Sequence, residues 1–356
     1  MLLFLGGLDM PRNYSSKKEL PVALRFIIKP FQFIVFLIIQ LPLLPLTIFG
    51  YIFIVVKAMI YTKKHGVSAT ATNPLSSRWF LHIFGLRRDE ATVKLISSLP
   101  FMSGAGLWLM MGPAFIANRI CGYLPGLARL PEPEKASLMS LVGCRTGFFD
   151  KMMEKNINSM DQVVFMGAGF DTRAFKYCKG KNIKVFELDK ESTQNCKIEA
   201  LKKAGIDYEW ITFVPIDFNQ ESWVDKLIDY GFDTSKKAFF LWEGVTPYLE
   251  EESVNQTLKA VAKSSAKGSV ITFDLYSRSV VAGTGEGSFI MKYYGKPLLK
   301  MSGEIWKFGI DTTKNPKENV ETLLKEAGLA LGEFRLMGKT TEKEKPFGGL
   351  VEAVKI

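Results

Sequence analysis

Histidine is nearly absent. The 356-residue chain has two, His65 and His82, and none beyond. Chemistry in the long remainder must therefore manage without imidazole, which excludes a Ser-His-Asp hydrolase or a His-ligated metal enzyme there. Cysteine is scarce as well. Cys121, Cys144, Cys178 and Cys196 show no CxxC or other metal-ligand spacing, so no metal site is expected and the chain reads as reduced and cytosol-facing. There is no internal repeat and no low-complexity tract. Nor is the body basic. Of the net charge of +10, the excess sits in residues 1–88, where eleven Lys or Arg face only Asp9 and Glu19. A basic body would point to nucleic acid; this nearly neutral one does not.

What the chain does have is a long uncharged run, Phe31 to Val56, between Lys29 and Lys57. A spanning helix needs ~20 apolar residues, so one pass would fit. Leu41-Pro42-Leu43-Leu44-Pro45 splits the run, however, and two close prolines break or kink a helix. Both flanks are basic (Arg25 and Lys29 before; Lys57, Lys63 and Lys64 after), and positive charge marks the cytoplasmic side. A re-entrant or interfacial hairpin suits this pattern better than a single pass, with its basic flanks on anionic headgroups. A cleaved signal peptide is disfavoured, because the run starts late and ends in Val55-Val56-Lys57-Ala58 without a small-residue cleavage site. The expected division is residues 1–88 as a membrane-associating segment and 89–356 as a catalytic domain facing the cytoplasm. A second apolar stretch, Leu99 to Leu130, is interrupted by Asn118, Arg119 and prolines. It reads as a buried helical layer ahead of a lid or entry path for a hydrophobic substrate.

From Asp161 onward short apolar runs alternate with helical segments, the signature of a parallel sheet covered on both faces. Strands are expected at Gln162–Met166, Lys184–Leu188, Trp210–Val214, Ala238–Trp242, Ser269–Leu275, Gly332–Met337 and Gly349–Val354. Helices are expected at Thr172–Cys178, Ser192–Ala204, Glu221–Tyr230, Glu251–Ser265 and Pro316–Ala327, the last with Pro at its start and Gly328 past its end. Seven strands closing in a hairpin fit an α/β fold of class I methyltransferase type, a Rossmann-like sheet with helices on both faces.

In such sheets a ligand lies beyond the carboxyl ends of the strands. The first strand runs into Gly167-Ala168-Gly169, a turn that lets a ligand approach the backbone. The second ends in Asp189, twenty residues after Gly169, the reach of a carboxylate that accepts hydrogen bonds from ribose hydroxyls. Asp217 and Phe218 follow the third strand and suit an adenine amino group and ring face. Glu243 ends the fourth, beside the cleft.

These residues resemble the leucine carboxyl methyltransferase family, in particular its bacterial O-methyltransferase branch. The resemblance rests on Arg145-Thr146-Gly147-Phe148-Phe149-Asp150, on Gln162 to Arg173, on Val185-Phe186-Glu187-Leu188-Asp189 and on Trp242 to Leu249, in this order and spacing. It runs from about Glu90 to the C-terminus. It implies S-adenosyl-L-methionine as cofactor, with Arg145 on the methionine carboxylate, Gly167 and Gly169 beside the methionine portion and Glu243 near the amino end. Asp189 would hold the ribose, and Asp217 and Phe218 the adenine. The family's early cofactor-contacting lysine is left unplaced, Lys94 being a poor match. Phe31–Val56 lies outside the family's core pattern, which favours a small or lipophilic acceptor at a membrane surface over a soluble protein.

The implied reaction is methyl transfer to an oxygen, carboxylate or hydroxyl. A carboxylate acceptor needs no general base, in keeping with the lack of histidine. A phenol or enol would need one, with Tyr248 and Tyr276 as neighbours. The alternatives are a nicotinamide-dependent Rossmann oxidoreductase, although Thr172 stands where its third glycine would be, and a non-catalytic membrane-bound scaffold of the same fold. All the cofactor motifs fall after residue 144, so the N-terminal segment is expected to locate the enzyme without building its site.

Overall fold

The computed structural model describes residues 22–68, 71–218, 222–284, 305–341 and 344–356. Arg12, Lys17 and Lys18 of the basic segment lie outside them, as does Glu221, where a helix was expected to begin.

The sheet forms because its central segments are apolar on both faces. In β1 (Gln162–Met166) and β4 (Ala238–Trp242) every residue is buried, as befits parallel strands covered on both sides. Alternate side chains serve opposite layers. Val164, Met166, Phe240 and Trp242 pack with Val254, Leu258 and Leu324 on one face, whereas Val163, Phe165, Phe239 and Leu241 pack with Phe149, Met152 and Met153 on the other. β2 (Lys184–Asp189), β3 (Ile211–Pro215) and β5 (Val270–Tyr276) complete the parallel set, and β6 (Leu329–Met337) and β7 (Gly348–Lys355) close it. The strand order is β3-β2-β1-β4-β5-β7-β6, with β7 antiparallel to both neighbours. This is the expected class I methyltransferase arrangement. A dinucleotide-binding sheet has the order 3-2-1-4-5-6, all parallel, so the inserted antiparallel β7 counts against the nicotinamide alternative. One expected helix differs: Ala174–Cys178 is a π-helical turn.

Ahead of the sheet stand α1 (Val22–Gln40), α2 (Leu44–His65), α3 (Thr72–Ile83), α4 (Glu90–Ser98) and α5 (Gly104–Cys121), followed by α6 (Leu141–Asn156). Their core includes Leu75, Phe80, Phe101, Leu107 and Phe115, and it merges with Cys196, Ala200 and Leu201 of α7 (Glu191–Lys203). The proline pair marks a bend and not the expected hairpin: α1 and α2 do not pack side by side, because α1 lies at the C-terminal end of α5, with Phe33 and Phe36 on Tyr123, while α2 continues towards its N-terminal end, with Lys57 on the Met102 carbonyl. α1 ends at Gln40, and Pro45 lies in the first turn of α2, where its missing N–H costs nothing. α2 rests backbone to backbone on α5. A Cβ on Gly50 would lie 2.6 Å from the Met110 nitrogen and 2.9 Å from the Gly106 oxygen.

The outer face of this layer is apolar. Phe31, Ile34 and Ile38 of α1, Ile48, Phe49, Ile52 and Phe53 of α2, and Ile116 and Ile120 of α5 are all exposed. The Leu99–Leu130 stretch is thus only partly the buried layer expected of it. Among the described residues, α2 is the one helix long and apolar enough to cross a membrane by length and composition.

Candidate active site

At the carboxyl ends of the parallel strands lies a cavity of about 1010 Å³, the upper end of the ~300–1000 Å³ usual for ligand sites. Arg145, Gly167, Ala168, Gly169, Asp189, Asp217, Phe218 and Glu243 all line it. Sequence position had placed all but Arg145 at separate strand ends; the parallel strands bring those ends side by side, and Arg145 joins them from α6.

Leaving β1, Gly167 adopts φ +67°, and Gly169 adopts φ +49°, conformations that a side chain strains. The Ala168 N–H donates to the Leu188 carbonyl at 2.9 Å. The Gly169 N–H donates to Asp189 Oδ2 at 2.6 Å, and the Lys190 N–H to Oδ1 at 2.7 Å. Asp189 therefore ties the glycine turn to the end of β2. Each of its oxygens keeps a lone pair for a further donor such as a ribose hydroxyl.

Around Glu243 the charges are dense. Arg145 reaches its Oε1 through Nε at 3.2 Å and Nη2 at 3.0 Å. Arg173 Nη1 and Arg78 Nη2 reach its Oε2 at 2.6 and 3.1 Å. Burial alone would raise the Glu243 pKa, but Arg173, Arg145 and Arg78 outweigh it and hold it at about 2. Asp171 is buried too, yet Arg173 (2.6 Å) and Arg78 (2.8 Å) keep it well below the usual carboxylate range. Arg145 also donates to the Tyr276 hydroxyl at 2.9 Å and lies 3.3 Å from Asp274. Burial pushes Asp274 and Tyr276 above their ordinary values despite Arg145. Asp274 Oδ1 in turn accepts the Gly244 N–H at 2.6 Å, which sets the loop that presents Glu243. Beneath the site, Asp150 accepts from Arg87, Arg173 and Lys176, and Asp89 from Arg87 and Thr172.

Sequence reasoning missed part of this. Arg78 comes from α3, inside the segment expected only to locate the enzyme, and it lines the cavity with Met59, Ile60, Lys63, Ala71 and Pro74. The expectation of a site built wholly after residue 144 is thereby corrected. The physical reason is packing: α2 and α3 roof the strand ends, and Ala71 sits 3.0 Å from where a Cβ on Gly169 would be. The available signal was a charge inside an apolar helix, Arg78 directly before Trp79-Phe80-Leu81. Lys94, the poor match to the family's lysine, is exposed on α4 and does not line the cavity. Asp171 and Arg173 lay within a recognised motif without being given roles.

Residues 100–262 match the family model described as leucine carboxyl methyltransferase. The chain is similar to that family over this span. A Streptomyces coelicolor protein, named provisionally as an S-adenosyl-L-methionine-dependent methyltransferase, is 29% identical over 284 residues, covering 75% of this chain and 89% of the relative. One of the same description from Streptomyces avermitilis is 27% identical, covering 66% and 83%. Among solved structures, magnesium protoporphyrin IX methyltransferase from Synechocystis is similar at a TM-score of 0.40 and 11% identity, over 65% of this chain and 93% of that one. The expected cofactor, S-adenosylmethionine, is the one for which these relatives are named.

Proposed function

We propose that the protein transfers a methyl group from S-adenosylmethionine to an oxygen, by preference a carboxylate oxygen, of a lipophilic acceptor at the cytoplasmic surface of a membrane. The observation that carries the reading is the convergence of strand-end groups in one cavity. Arg78 and Arg145, beside Glu243, offer opposite charges to a zwitterionic amino acid. The Arg78 Nε is buried without a hydrogen-bond partner among the described residues. Asp189 stands ready for a ribose, and Asp217 with Phe218 for an adenine. This donor set fits S-adenosylmethionine.

Bound there, the cofactor supplies a sulfonium methyl group that is already electrophilic. The protein's task is to orient the acceptor for in-line attack and to exclude water. The lining acids make poor bases at neutral pH. Glu243 and Asp171 are held ionised by arginines, and Asp189, although burial raises its pKa, has both oxygens engaged by backbone N–H groups and faces the ribose position and not the acceptor. Tyr276 is held in its neutral form. An acceptor that arrives already as an anion suits such a site, whereas a hydroxyl would need deprotonation. Product chemistry decides between them. A methyl ester releases methanol in mild alkali, whereas a methyl ether retains its label.

The membrane part of the proposal rests on the apolar outer face shared by α1, α2 and α5. Bent between α1 and α2, this face would lie along one leaflet with its side chains among the acyl chains just below the headgroups. Lys63, Lys64 and His65, exposed at the far end of α2, would then meet anionic headgroups. Full-length protein should sediment with vesicles in high salt, because apolar contact survives screening.

A further inference from the structure

The apolar face and the cavity are not separate features; they meet on α2. Ile48, Ile52, Val56 and Ile60 follow one another at intervals of four, so they form a stripe along one side of the helix. Each is about half exposed or more, at 48%, 53%, 48% and 66%. The stripe ends at Ile60, which also lines the cavity, as do Met59 and, one turn onward, the exposed Lys63. With the apolar face lying along the leaflet, the stripe touches the acyl chains and the exposed Lys63 lies at the level of the headgroups.

We infer that the methyl acceptor is a membrane-resident amphiphile with a carboxylate head, which enters the cavity sideways from the leaflet along the Ile48–Ile60 stripe and is drawn in by Lys63. This rests on the assignment of methyl transfer to the cavity. The stripe offers the tail a continuous apolar path, so head and tail need not pass through water. Lys63 offers the anionic head a charge-assisted contact at the mouth. Methyl transfer then reverses the attraction. The carboxylate oxygen forms the new C–O bond as the C–S pair returns to sulfur, giving a neutral ester and a neutral thioether with no proton moved. The uncharged product has no hold on Lys63 and partitions back into the leaflet.

The test uses the full chain with phosphatidylcholine vesicles and two photoactivatable C16 probes bearing a diazirine, one a fatty acid and the other its trimethylammonium analogue. The fatty acid should label both the Met59–Lys63 segment and the cavity residues Tyr248 and Leu249, with unlabelled palmitate competing. The cationic probe should label only the first half of α2, Leu44–Phe53. Lys63→Glu should cut fatty-acid labelling of Tyr248 by about three- to tenfold while leaving labelling of Leu44–Phe53 unchanged, and Lys63→Arg should restore it. Labelling of Leu44–Phe53 by both probes without cavity labelling would overturn the route and leave the membrane reading standing. An unlabelled chain that stays in the supernatant would mean that a second copy or residues 1–21 cover the face. Membrane reading and route would then both fall. Binding of S-adenosylhomocysteine, measured on the same preparation, reports separately on the assignment of the cavity.

Discussion

Replacing Arg145 by Met should separate the folding role of this guanidinium from its role in the site. Its loss strips Glu243 Oε1 of both donors, at 3.0 and 3.2 Å. Glu243 is not left as a lone buried charge, because Arg78 and Arg173 still hold its Oε2. Asp274 loses its nearby cation, but burial already raises its pKa, so it takes up a proton in preference to staying charged. The Tyr276 hydroxyl loses one partner. The stability cost should therefore be that of one or two hydrogen bonds, about 1–3 kcal/mol, below the ~3–5 kcal/mol of a fully broken buried ion pair. Affinity for S-adenosylhomocysteine should fall by more. A charge-assisted contact with its carboxylate contributes ~2–4 kcal/mol, which is about 30- to 1000-fold. Calorimetric titration alongside thermal melts reads both quantities, and Arg145→Lys should lie between wild type and Met. A folded Arg145→Met protein that binds within threefold of wild type would refute the role given to Arg145.

Other outcomes follow from the same geometry. Gly167→Ala forces an L-residue to φ +67° with its Cβ 2.6 Å from Val245 Cγ2; about 2–3 kcal/mol of stability should be lost, read by urea denaturation. Arg78→Met should weaken S-adenosylhomocysteine binding although it lies far upstream of the recognised motifs, and unchanged binding would remove α3 from the site. Acid should unfold the protein in a defined window. Glu243 drops from an ordinary 4.5 to about 2 on folding, so its contribution is complete above pH 4.5 and is lost as pH falls towards 2. Asp171 and Asp150, lowered likewise, add to the loss, which Tm against pH will follow.

The sheet was legible because its strands are buried on both faces and so read as short apolar runs between glycine turns. One edge was not. β6 starts at Leu329, directly after the left-handed Gly328, and Gly332, which read as a strand start, lies within it at a register shift. A Cβ there would meet Glu352 Oε2 at 2.7 Å, so this glycine marks a bulge and not a turn. The π-helical turn at Ala174–Cys178 was also hidden. Its approach depends on Asp171 accepting the Arg173 N–H, a tertiary arrangement that helix periodicity does not encode. Site residues at strand ends could be found by counting along the chain. Arg78 could not, because its place depends on how α3 packs over the strand ends, and a lone arginine beside Trp79 reads equally well as a snorkelling surface residue.

The central claim is that this cavity holds S-adenosylmethionine. Titrating the full-length protein with S-adenosylhomocysteine and, separately, with NADH tests it most directly. One-to-one binding of S-adenosylhomocysteine that weakens about 30-fold or more in Arg145→Met, with no heat from NADH, is the expected result. Saturable binding of NADH with no response to S-adenosylhomocysteine would contradict it.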